Sequence, residues 1–392
     1  MIRTATVAHA RRFVAALSLA SVACGVSAQL STPALERSAA QAPPPGAAQT
    51  TAIPGAPAPA IALLLPNQQT VFARAAEAVR QGFFSANEAA GGKLAIQVLE
   101  VDDDATQLQT AIEGALKRGV KTVVGPLLRS GVNAVIDGGY ASPPIVALNY
   151  PDRDAAAPPT MIALGVSAES EAHFVVSFAL AEFVGTRRSP GSAPRFVVLA
   201  GPSSLERRIA QAYVSALRAG GETPLLVDAA AEQGERLARM LDPERHDAVF
   251  LALDARGAAL LRARIPRPIL IFGTSLLNTA SGAASPEATA LAHDLDGVRF
   301  VDMPWLLLAD ASKGAGGPLP ATPLPPDLAR LYSLGVDAYR VAQRWSAGET
   351  RFTVEGMMGR LRVDRGAGPR VERTPAAAIY RNGAIEREEI GR

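Results

Sequence analysis

From Ile61 onward, short blocks of consecutive apolar residues alternate with longer stretches in which apolar residues recur every three or four positions. The blocks are IALLLP (61–66), LAIQVLEVDD (94–103), TVVGPL (122–127), PIVALNY (144–150) and MIALGV (161–166), then RFVVLAGP (195–202), PLLVDA (224–229), AVFLALD (248–254), PILIFGT (268–274) and VRFVDMP (298–304). Blocks of this length, bounded by Gly, Pro or Asp, predict strands buried on both faces, as in a parallel sheet. The stretches between them predict helices. In residues 203–221, SSLERRIAQAYVSALRAGG, the residues Ile209, Tyr213, Ala216 and Leu217 keep helical spacing, a serine precedes the start, and Gly220 and Gly221 follow the end. TQLQTAIEGALKRGVK places Leu108, Ile112, Ala115 and Leu116 on one stripe, with Gly119 as the stop.

Parallel neighbours need crossover connections, so strand–helix alternation predicts an α/β protein with doubly wound parallel sheets. Five strands precede residue 170 and five follow 190, with the helix-like AESEAHFVVSFALAEFVG (168–185) between the sets. So many residues exceed what one hydrophobic core usually serves, which predicts two lobes. After Pro304 a Gly/Pro-rich excursion loosens the pattern, and PDLARLYSLGVDAYRVAQRW then resumes as a strong helix. The close, GRLRVDRGAGPRVERTPAAAIYRNGAI, reads as antiparallel ribbon with an RNG turn.

The first 28 residues change the setting. Arg3, Arg11 and Arg12 precede the apolar run FVAALSLASVACGV, and VSA stands before Gln29, the pattern of a cleaved export signal. The apolar run is too short to span a membrane. Residues 29–59, rich in Ala, Pro, Gln, Ser and Thr, show neither apolar period and predict a disordered tether. The sole cysteine, Cys24, lies inside the signal. It is removed if cleavage follows Ala28. Alternatively it carries lipid, since SVAC partly resembles a lipoprotein signal with Ser21 at the position usually held by Leu, Val or Ile.

Formal net charge is +2, and loss of three arginines with the signal turns it slightly negative. No basic run exceeds two residues and aromatics make up only 5%, so nucleic acid is not an expected partner. His173, His246 and His293 have no i,i+4 partner, and the chain has no G-x-S-x-G elbow, S-x-x-K, Walker loop or strand-linked G-x-G-x-x-G. Neither a catalytic set, a metal nor a cofactor is therefore expected. Adjacent Asp102, Asp103 and Asp104 read as a solvated edge, although they could attract a cation.

What remains is the crevice beyond the carboxyl ends of the strands, where open parallel sheets hold ligands. Asn67, Gln68, Gln69 and Thr70 stand there just ahead of a helix start. Gly125, Pro126 and Arg129, then Asn149 and Tyr150, occupy corresponding loops of the first set, and Ser203, Ser204, Asp254, Thr274 and Ser275 those of the second. Each residue singly suits turn or cap chemistry, for which Thr70 suffices at the first turn. Their shared place at strand ends adds the reading of a cleft for a small polar molecule.

Two lobes, an export signal and a helix-to-ribbon ending resemble the type 1 periplasmic binding fold. The segments IALLLP…AAEAVRQGFFSA, VVGPLLRSGVNAV, ALNY, FGTSLLNTA, LDGVRFVDMPWLL, RLYSLGVDAYRVA and GRLRVDRGAGPRVER, in that order, look like the penicillin-binding protein activators, the LppC-type lipoproteins, from about residue 60 to 385. The resemblance implies lobe I at 60–166 plus 305–350 and lobe II at 167–304 plus 351–388. It further implies a non-enzymatic regulator that contacts a bifunctional, class A penicillin-binding protein and promotes peptidoglycan synthesis, anchored to the outer membrane if Cys24 is lipidated. Long members of that family carry an N-terminal helical-repeat domain, where this chain has only the tether. Relatives that bind amino acids have a small Ser-Gly type turn after the first strand, and PNQQT puts bulkier amides there. Peptidoglycan or an unknown small ligand could be a further partner. A solute receptor for a small polar molecule such as an amino acid is the alternative, and an exported hydrolase a third reading.

Overall fold

The computed structural model describes residues 60–102, 104–153, 156–184, 195–229, 235–279, 285–308 and 316–389. The expected signal, the tether, Cys24 and Asp103 lie outside them. All described residues fall in one compact unit, Ala48–Arg392.

The first set of elements is β1 (Ile61–Pro66), α1 (Ala73–Ala89), β2 (Ile96–Val101), α2 (Ala105–Lys117), β3 (Thr122–Val124), α3 (Arg129–Gly138), β4 (Ile145–Ala147) and β5 (Met161–Ala163). Its strands form a parallel sheet in the order β2-β1-β3-β4-β5. Successive side chains of a strand point to opposite faces, and here both faces are covered. Ile61, Leu63 and Leu65 enter one core, with α1, while Ala62 and Leu64 enter the other, with α2 and α3. That double burial explains why β1 reads as an unbroken apolar run.

The second set runs α4 (Ala168–Glu182), β6 (Phe196–Ala200), α5 (Ser204–Ala219), β7 (Leu225–Asp228), α6 (Glu235–Met240), β8 (Ala248–Ala252), α7 (Ala255–Arg262), β9 (Leu270–Gly273), a 3₁₀ turn (Ser275–Leu277), α8 (Pro286–Asp294) and β10 (Val298–Asp302). Strands β6 to β10 pair in parallel, again with the faces divided: Val197 and Leu199 enter one core, Phe196 and Val198 the other. All ten strands expected from the apolar blocks are present.

The chain then returns. Helix α9 (Pro326–Ser346) lies against α1 so closely that a Cβ at Gly82 would stand 2.0 Å from the Tyr332 carbonyl oxygen. Phe83 and Tyr339 meet edge to face across this crossing, with centroids 5.4 Å apart. Strands β11 (Arg351–Gly356), β12 (Gly359–Asp364) and β13 (Glu372–Thr374) form a small antiparallel sheet, and β14 (Ala376–Arg381) and β15 (Ala384–Glu388) a hairpin.

This closing ribbon does not travel as one piece with the second lobe, as residues 351–388 were expected to. Phe352, Val354, Leu361 and Val363 alternate with exposed residues and turn their side chains into the α1–α9 core of the first lobe. Only the hairpin joins the second sheet, giving the order β15-β14-β10-β9-β8-β6-β7. The amphipathic period of β11 and β12 decides this, because their apolar faces fit the side of α9 left open by α1. No helix among the described residues is long and apolar enough to cross a membrane.

Candidate functional site

The mouth of the crevice is formed by the loops at the carboxyl ends of the two sheets. In the first lobe, Asn67 Oδ1 accepts from Gln69 N at 3.0 Å, and Thr70 Oγ1 donates to Asn67 O at 2.8 Å and accepts from Phe72 N at 3.3 Å. Gln68 Nε2 donates to Glu100 Oε1 on β2 at 2.8 Å. The bonds of this turn thus run within itself, to the start of α1 and to β2. Thr70 does not cap the helix: α1 begins at Ala73 behind Phe72, with no side-chain cap. The threonine closes a turn that ends before the helix starts.

Gly125 and Pro126 shape the next loop. Gly125 has φ +114°, its N–H donates to Val146 O at 2.8 Å, and a Cβ on it would stand 2.2 Å from Leu64 O. Pro126 O accepts from Leu148 N. Asn149 Nδ2 donates to Leu127 O at 3.0 Å and its Oδ1 accepts from Tyr150 N; buried Tyr150 donates its hydroxyl to Gly165 O at 3.3 Å. A cleft of about 170 Å³ does open at the ends of β1, β2 and β3, lined mainly by apolar side chains including Leu64, Pro66, Val101, Pro126 and Leu128.

The second-lobe candidates are occupied in a different way. Ser203 caps α5 through a reciprocal pair: its Oγ accepts from Glu206 N and its own N–H donates to Glu206 Oε2. Ser204 is the first residue of that helix. Glu206 Oε1 accepts from Asp254 N at 3.2 Å, and Asp254 caps α7 by accepting from Gly257 N at 2.7 Å. Thr274 is buried, and its Oγ1 has no hydrogen-bond partner among the described residues.

Ser275 is where the lobes meet, through its backbone. Its N–H donates to Glu171 Oε2 at 3.2 Å, and its carbonyl accepts from Arg330 Nη2 at 3.2 Å. Arg330, on α9, also forks onto Asp302 at the end of β10, with Nη2 to Oδ2 at 2.6 Å and Nε to Oδ1 at 3.0 Å. Asp302 is fully buried, and Asn278 Nδ2 and Met303 N complete its set of donors. Burial works against the charge on Arg330, but Asp302 outweighs it and raises the guanidinium pKa. On the other side, Arg373 Nη2 of β13 reaches Glu171 Oε1 of α4 at 2.7 Å, with both side chains buried. Two arginines carried by elements of the first lobe's core thus grip two carboxylates of the second. Arg129 adds a third link, 3.6 Å from Glu169, which Arg208 also contacts at 2.9 Å.

The residues of these links were not singled out in the sequence, Arg129 and Ser275 excepted. Asp302 did carry a signal, a carboxylate ending the buried block VRFVD, but nothing local names its partner. Glu171 and Arg373 are 202 positions apart. Among the described residues, no group of three or more His, Cys, Asp or Glu stands where it could hold a metal ion. His246, buried, accepts from Asp242 N through Nδ1. His173 lines a separate polar cleft at the hinge, with Tyr150, Ser170 and Arg370.

A family model described as "LppC putative lipoprotein" matches residues 32–216 and 241–383, most of the chain. No curated protein sequence matches. Among solved structures, a protein from Chromobacterium violaceum described as a "putative branched-chain amino acid ABC transporter" is 28% identical, with TM-score 0.64, over 81% of this chain and 99% of that one. Full-length LpoA from Haemophilus influenzae is 21% identical with TM-score 0.67, over 84% of this chain and 58% of that one. The LpoA C-domain from the same organism, described as a regulator of PBP1A, is 21% identical with TM-score 0.65 and is 99% covered. The fold is that of the type 1 periplasmic binding proteins.

Proposed function

The chain belongs to the LppC family, and from that membership we propose that it is an exported, non-enzymatic regulator that binds a class A penicillin-binding protein and promotes peptidoglycan synthesis. One observation carries the reading beyond kinship. Most of the polar groups named at the crevice mouth cap helices, close turns or tie the lobes together, and two buried arginine–carboxylate links cross between the lobes. A crevice so occupied supports a scaffold that works through its outer surfaces. The protein acts in the periplasm, held to the inner leaflet of the outer membrane if Cys24 is lipidated. The test is co-purification from cross-linked cells. A class A synthase is expected with the chain, and its consistent absence at full cross-linking would overturn the reading.

A solute receptor is the second reading, favoured by the 28% identity to the Chromobacterium violaceum protein over nearly all of that chain. It requires a solute that stabilises the folded state by about 2.7 kcal/mol at a hundred times its Kd. Thermal unfolding against branched-chain amino acids and their N-acetyl forms separates the two readings, since the receptor reading expects the free amino acid to be preferred and the regulator reading expects no such preference.

A further inference from the structure

The hinge cleft, about 290 Å³, is bounded by both lobes: Tyr150, Arg370 and Arg373 stand on the first-lobe side, and Ser170, Glu171 and His173 come from α4. Its two arginines differ in kind. Arg373 is fully engaged with buried Glu171, whose other oxygen accepts from Ser275 N. Arg370 has no carboxylate within ion-pair distance among the described residues. Its guanidinium carbon lies 4.0 Å from the centroid of the Tyr150 ring, and Nη1 donates to Ser170 Oγ at 3.1 Å.

The backbone behind Arg370 is equally fixed. Arg370 bridges to Ala163 at the edge of the first sheet, with Ala163 N donating to Pro369 O at 2.8 Å and Val371 N to Ala163 O at 2.9 Å. A guanidinium held by a ring beneath it and a strand behind it is pre-organised, so little rotamer entropy is lost when it takes a ligand. Glu372, on the rim, is paired with Arg362 at 2.8 Å. The cleft therefore keeps one uncompensated positive charge. His173 reports the same field: burial and then Arg370 lower its pKa.

We propose that this cleft is a binding site for a small organic monocarboxylate, whose carboxylate takes the free edge of the Arg370 guanidinium while its apolar part lies against Val371 and Pro375. A planar guanidinium matches a carboxylate with two parallel N–H···O bonds. One net positive charge fits a monoanion and leaves the second charge of phosphate without a partner. Because both lobes supply walls, occupancy favours the lobe arrangement described here. The assignment does not depend on the synthase contact, so failure of either leaves the other standing.

The test titrates the full exported chain with N-acetylalanine, its amide, and inorganic phosphate, reading the His173 ring by NMR and the thermal midpoint. The acid is expected to raise the His173 pKa and the midpoint, the amide to move neither, and phosphate to act more weakly at equal concentration. Arg370→Gln, at an exposed position, is expected to keep its circular dichroism and lose the response at least tenfold. Equal responses to acid and amide, a stronger response to phosphate, no response at all, or an undiminished response in the variant would each overturn the proposal. The acid–amide comparison uses the unaltered chain, so it decides even if the variant does not fold.

Discussion

The loops leaving β1 and β6 hold corresponding places in their sheets and are built in opposite ways. After β6, Ser203 and Glu206 cap α5 reciprocally, and the same Glu206 fixes Asp254, the cap of α7. One buried carboxylate thus ties two loops of the second-lobe mouth. After β1, Thr70 closes its own turn, α1 starts without a side-chain cap, and Val71 and Phe72 are 92% and 42% exposed. The same topological position can be sealed by shared charge or left self-contained with apolar side chains in water. Polar residues at strand ends therefore do not by themselves indicate a ligand. The number of neighbours that already use their hydrogen bonds decides the matter.

The sharpest way to widen this contrast is Asp302→Ala. It leaves Arg330 buried without its partner and strips Asn278 and Met303 N of an acceptor, and it should cost about 3–5 kcal/mol in urea unfolding. Replacing both Asp302 and Arg330 with apolar residues should cost much less than the single change.

The contrast would break if the first lobe also depended on an ionised carboxylate for stability. Its buried Asp337 accepts from Met357 N and Met358 N at 3.0 and 2.8 Å, yet burial pushes its pKa up to about 6. A folded-state pKa above the unfolded value, near 4, gives a contribution fully present below about pH 4 and lost as pH rises through about 6. Relative to Asp337→Asn, unfolding free energy should therefore fall by about 2 kcal/mol between pH 4 and pH 7. A rise with pH would show that the carboxylate is stabilised as the anion.

Smaller effects test the two loops directly. Glu206→Ala should destabilise by about 2 kcal/mol, since two loop N–H groups lose a charged acceptor. Thr70→Ala, which opens one exposed turn, should cost under about 1 kcal/mol. Equal losses at the two positions would erase the distinction drawn between the loops.

The fold was legible because each buried strand is a contiguous apolar block and each crossover helix carries its own periodicity, as Ile209, Tyr213 and Leu217 do in α5. The caps were legible as residues but ambiguous as chemistry, because Ser203 and Asp254 would look the same facing a ligand. Division of the closing ribbon was hidden, since the alternation of Phe352 and Val354 reveals one apolar face without naming the core that receives it. The inter-lobe links were hidden for a related reason. Arg373 and Glu171 become neighbours only when β13 crosses back over α4, and no local pattern encodes that approach.

Glycan polymerisation by a purified class A penicillin-binding protein, with and without the exported chain, tests the regulator reading most directly. A severalfold faster rate is expected, unchanged by Ser203→Ala or Ser275→Ala because the regulator reading assigns no chemistry to either hydroxyl. An unaltered rate with every class A synthase of the same cell, or a hydrolytic product that disappears with one of those serines, would contradict it.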